Sequence, residues 1–141
     1  MNKDQVIATL NDLLEHELSG VVRYTHYSFM IFGHNRIPIV SWLRGQGQES
    51  LMHAEQIGEL VTSYGGHPSL KIKDLLETHK HSVNDILQES LEHEEQSIKL
   101  YRKLMEQTEG KDLLLEEFSK RLICEEEAHA SEVRKMLTAP K

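Results

Sequence analysis

Apolar residues recur at helical spacing along four long stretches of this chain. In the first, Leu10, Leu14, Val21 and Tyr24 share a stripe with Glu17 and Ser28, stepping by three and four. The spacing predicts a helix from about Lys3 to Phe32. Gly33 then signals a helix end and Pro38 a helix start. A second helix is predicted from about Ile39 to Tyr64, with Leu43, Gln46, Ser50, His53, Ile57, Leu60 and Tyr64 on one face, and it stops at Gly65 and Gly66. The third runs from about Ser82 to Gln107, with Val83, Leu87, Ser90, Glu94, Ile98, Tyr101 and Met105 in line. The fourth runs from about Leu113 to Leu137, where Phe118, Leu122, Val133 and Met136 bracket Glu126 and His129.

Four long amphipathic helices predict an all-α four-helix bundle in a single domain, residues 1–141. The first and third connections are short, so each joins an antiparallel hairpin. The middle connection, residues 67–82, is long enough to return along the bundle, which makes the second and third helices parallel. A helical turn or two is expected within its Lys73–His79 segment. One long crossover between two hairpins is the ferritin-like arrangement.

Composition narrows the function. Gly (8) and Pro (3) are few in 141 residues, which favours helix. A net charge of −7 argues against nucleic acid or an anionic membrane as a partner. The single cysteine, Cys124, excludes an internal disulfide and a multi-thiolate metal site. No apolar run reaches membrane-spanning length and the N-terminus lacks a signal-peptide core, so a cytoplasmic location is expected.

The polar residues inside the stripes carry the chemistry. Glu17, His53, Glu94 and the Glu126–His129 pair each fall near the middle of a stripe, and in antiparallel hairpins midpoints face midpoints. Carboxylate and imidazole groups turned toward an apolar interior are costly unless paired or metal-bound. Oxygen and nitrogen donors without sulfur suit iron or manganese and, less specifically, zinc. Tyr24 and Tyr101 are expected beside this set or in the core, and Trp42 and Met52 in packing. Cys124 lies off the ligand stripe. Asp12, Glu15 and Arg23 are expected in solvent, as are His16, His26, His67, His79, His81 and His93.

From LLEHELSGVVRY through HAEQIGELVTSYGGHPSL to LICEEEAHASEV, the chain resembles bacterioferritin within the ferritin-like superfamily. That family carries Glu on the first helix, Glu-x-x-His on the second, Glu on the third and Glu-x-x-His on the fourth. The resemblance implies a di-iron site built from Glu17, His53, Glu94, Glu126 and His129. It places Tyr24 close to the iron, where it is the candidate for a catalytic role. The second-helix carboxylate departs from the pattern, because three residues before His53 stands Ser50. Glu49 is its neighbour and a further candidate ligand. It reaches the site if a π-bulge rotates it inward, and otherwise stays peripheral. The family binds haem through a methionine whose place is taken here by Leu51, with Met52 beside it, which argues against haem. The family's short fifth helix has no counterpart in the TAPK that follows Leu137. A homo-oligomer is expected, from a dimer to a 24-subunit cage.

The resemblance implies oxidation of Fe²⁺ to Fe³⁺ by O₂ or peroxide, for iron storage or detoxification. Two other functions fit the same residues. One is a di-metal oxidoreductase of peroxidase or manganese-catalase type that stores nothing. The other is a helical assembly protein with a vestigial site.

Overall fold

A computed structural model describes residues 1–141. It contains four α-helices and no strand: α1 (Lys3–Phe29), α2 (Arg36–Ser63), α3 (Val83–Thr108) and α4 (Leu113–Leu137). Three of the starts are capped by side chains. Asn2, Ser82 and Asp112 accept hydrogen bonds from the backbone N–H of Gln5, Asp85 and Leu115. Helix α2 begins three residues before its predicted start and holds Pro38 in its first turn, where the missing N–H has no helical partner to lose. Helix α1 ends three residues before its predicted end.

The Lys73–His79 segment forms no helix. The crossover instead lies along α1, which competes for its backbone. The Asn11 side chain donates to the His67 carbonyl and accepts from the Ser69 N–H, and the Lys73 N–H donates to the Glu15 carbonyl. Further on, Glu77 reaches His26 near the end of α1. The crossover therefore travels most of the length of α1. It starts at Gly65, whose φ of 82° suits glycine, and at Gly66, where a Cβ would stand 2.6 Å from Ile7.

α1 pairs with α2, α3 pairs with α4, and α1 meets α3 across the middle. The larger apolar cluster joins the start of α1 (Val6, Leu10) to the ends of α2 and α3 (Val61, Leu104) and the start of α4 (Leu115). The opposite end is filled by Tyr27 and Ile31 with Val40, Leu43 and Ile86. Between these two ends lies a buried polar layer: His16, Glu17, His53, His93, Glu94 and Glu126. No helix is long and apolar enough to cross a membrane.

Candidate metal centre

The polar layer brings Glu17, His53, Glu94, Glu126 and His129 together in two nests. Glu17, His53 and Glu126 place ligand atoms within 4.8 Å of one another, and so do Glu94, Glu126 and His129. Glu126 belongs to both. Its Oε1 lies 3.5 Å from His53 Nδ1 and its Oε2 lies 3.8 Å from His129 Nδ1. Glu17 Oε2 completes the first nest at 3.6 Å from His53 Nδ1, and Glu94 Oε2 the second at 4.0 Å from His129 Nδ1. Tetrahedral ligands about 2.1 Å from an ion are about 3.4 Å apart. Each nest thus needs only a small contraction to hold one.

The unsatisfied atoms point the same way. His53 Nδ1, His129 Nδ1 and Glu94 Oε2 are all buried without a hydrogen-bond partner. A buried polar atom left unpaired costs about 1–3 kcal/mol, and here three face the two nests. Burial, reinforced by the Glu126 charge, raises the Glu17 pKa above the usual carboxylate value. Burial works to lower the His53 pKa, but the nearby carboxylate of Glu17, with those of Glu126 and Glu125, outweighs it and raises it. The His129 pKa is raised chiefly by Glu126, against burial. The cluster therefore holds protons that a cation would displace. These residues fit a pair of divalent ions, with Glu126 placed to offer an oxygen to each nest.

A ring of partners orients four of the five groups, and it is reciprocal. Tyr24 donates to Glu94 Oε1, and Tyr101 donates to Glu17 Oε1 at 3.0 Å. Burial raises the pKa of both phenols, so both remain donors. His53 Nε2 donates to Glu125 Oε2 at 3.1 Å, and His129 Nε2 lies 3.0 Å from Glu49 Oε2. A carboxylate behind each imidazole fixes the tautomer and leaves Nδ1 free for a metal.

Glu49 has thus not taken the inward route that a π-bulge would open. Helix α2 carries no π-bulge, and Glu49, 40% exposed, lies behind His129 rather than among the clustered ligand atoms. Its counterpart is Glu125, a residue the sequence reading passed over. The signal was present: Glu49 precedes His53 by four residues, as Glu125 precedes His129. Each carboxylate serves the histidine of the other helix, which spacing along one helix does not reveal.

Two histidines expected in solvent are buried. His16 and His93 stack with ring centroids 4.0 Å apart. His16 Nε2 donates to the His93 carbonyl at 3.1 Å and lies 2.8 Å from Ser97 Oγ. Burial lowers the His16 pKa to about 4 and pushes that of His93 well below the usual value. Both rings are therefore neutral packing elements between α1 and α3. Gly20 makes room beside them, since a Cβ there would stand 2.8 Å from both His93 Nε2 and Ser50 Oγ. Leu51 and Met52 are exposed on the outer side of α2, away from this layer.

The ferritin-like domain model matches residues 7–141. The chain belongs to the ferritin-like family. Among solved structures, this ferritin-like protein is similar to a ferritin-like diiron-carboxylate protein from Bacillus anthracis str. Ames (TM-score 0.91, 23% identity, covering 96% of this chain and 97% of that one). It is also similar to Rhodobacter capsulatus bacterioferritin (0.84, 24%, 95% and 84%) and to a dodecameric thioferritin from Bacteroides fragilis (0.88, 20%, 97% and 86%). At these identities the likeness establishes the fold. No curated protein matches the chain in sequence.

Proposed function

We propose that this ferritin-like protein is an Fe²⁺-oxidising protein that binds a pair of iron ions between its four helices and serves iron storage or detoxification. The observation that carries this reading is Glu126, whose two oxygens face two separate nests, each completed by one further carboxylate and one imidazole Nδ1. Bound iron would supply the electrons, passed to O₂ or peroxide. The chain's own part is to hold and orient. Glu17 and His53 would hold one ion, Glu94 and His129 the other, and Glu126 both. Tyr24 and Tyr101 fix the outer carboxylate oxygens, while Glu125 and Glu49 keep each histidine turned inward. Three buried carboxylates favour divalent cations, and donors without sulfur favour iron or manganese.

The test is rapid-mixing Fe²⁺ oxidation by the double variant Glu126→Ala, His129→Ala, which is expected to lose the fast phase. Oxidation kinetics equal to wild type would overturn an intrabundle site. Iron counted per chain after aerobic loading separates storage from a fixed pair of ions, since storage requires many more than two. Self-association is supported by large apolar side chains left in solvent, among them Phe32 (77% exposed) and Ile37 (83%). Light scattering in solution is expected to show a homo-oligomer.

A further inference from the structure

Three potential ligands that the bundle centre does not use converge where the crossover reaches the far part of α1. His26 Nε2 lies 2.9 Å from Glu77 Oε2, and His81 Nε2 lies 3.3 Å from Glu77 Oε1. One ligand atom from each falls within 4.8 Å of the others. The rings of His26 and His81 meet edge to face, 5.9 Å between centroids. Both Nε2 atoms are shielded from solvent and lack a well-directed hydrogen bond. Two buried imidazole nitrogens without a well-directed partner, both beside one carboxylate, offer three donors to a single cation.

The loop that presents them is shaped for the purpose. His79 has φ 57°, in the left-handed region that non-glycine residues rarely occupy. This turn brings Glu77 and His81 together. The His79 N–H donates to Glu77 Oε1 at 2.7 Å, which fixes the orientation of the carboxylate. Thr78 Oγ1 donates to Glu89 Oε1 at 2.6 Å, which ties the same turn to α3. A cavity of about 200 Å³ adjoins the three ligands and has room for water. Arg23, on its wall, is occupied with the Tyr27 hydroxyl at 3.3 Å.

We propose that His26, Glu77 and His81 form a second metal site, for a divalent ion of the zinc or ferrous class, which fastens the crossover to α1. Two imidazoles and a carboxylate with one position left to water form a familiar donor set for such ions. The site is separate from the bundle centre, because His26 follows Glu17 by roughly 13 Å of helix. It is independent of the proposed iron oxidation.

Equilibrium dialysis of the full chain against Zn²⁺ tests it. His81→Ala is expected to remove one zinc per chain, both from wild type and from the Glu126→Ala, His129→Ala background. Zinc content unchanged by His81→Ala in both backgrounds overturns the proposal. Failure of the central site instead appears as zinc content unaffected by the double substitution, a different result. Tryptic cleavage after Lys80 gives a readout free of stoichiometry. Zinc at ten times its dissociation constant is expected to slow cleavage about tenfold in wild type and to leave His81→Ala unprotected. Equal protection of the two proteins overturns the proposal.

Discussion

The two hairpins repeat one another around the centre. His16, Glu17 and Tyr24 of α1 correspond to His93, Glu94 and Tyr101 of α3, 77 residues later. Glu49 and His53 of α2 correspond to Glu125 and His129 of α4, 76 residues later. Their contacts are reciprocal, Tyr24 with Glu94 and Tyr101 with Glu17, as an approximate twofold axis between the hairpins requires. The stacked pair of His16 and His93 fits a position at that axis. The copies part at one place in the centre, where Glu126 of α4 answers Ser50 of α2. The comparison teaches that the scaffold around both nests is doubled while the group joining them is single. Both nests depend on Glu126, and nothing equivalent stands opposite it.

Breaking that single group should have the largest effect. Glu126→Ala is expected to cost both ions and to slow Fe²⁺ oxidation by more than about 100-fold, since losing even an outer partner of a ligand costs 10–100-fold. His53→Ala removes a ligand from one nest only and should leave one ion bound. Metal analysis by mass spectrometry distinguishes two ions, one and none.

The axis itself is open to acid. His16 is held near pKa 4 in the folded chain by burial, with Arg23 and Lys73 adding to the effect, against 6.5 when unfolded. Below 6.5 the unfolded chain takes up a proton that the folded chain refuses until about 4. Stability is therefore full above 6.5 and falls as pH drops toward 4, by about 3 kcal/mol for this one residue. His93 acts in the same direction. Urea denaturation of the metal-free protein at a series of pH values should show this loss, and His16→Leu should flatten the slope.

A sharper probe of the doubling compares the two carboxylates behind the histidines. Glu49→Gln and Glu125→Gln are each expected to weaken metal binding by about 10–100-fold, and by similar factors. A large effect for Glu49 alone, with loss of an ion, would make it a direct ligand and end its equivalence with Glu125. Titration calorimetry decides between them. The smallest effect belongs to Ser50→Ala, which should leave both ions bound and shift stability by no more than about 0.5 kcal/mol. Thermal melts with and without metal check it.

The sequence alone determined the bundle, the hairpins, the crossover and five of the groups at the centre. It could do so because helical periodicity is a local property: Glu17, His53, Glu94, Glu126 and His129 declare their facing through the apolar residues three and four positions away. Only the tertiary structure decided what depends on neighbours far along the chain. His16 falls off the α1 stripe and reads as a surface residue. It is buried because His93 comes to meet it across 77 positions. Glu49 reads as a displaced ligand beside Ser50, yet its partner is a histidine on α4. The crossover's apolar Leu75 and Leu76 suggested a helical turn, but its backbone had already found α1 to bond with. In that unhelical segment, the turn at His79 brings Glu77 and His81 to His26, an encounter that no periodicity encodes.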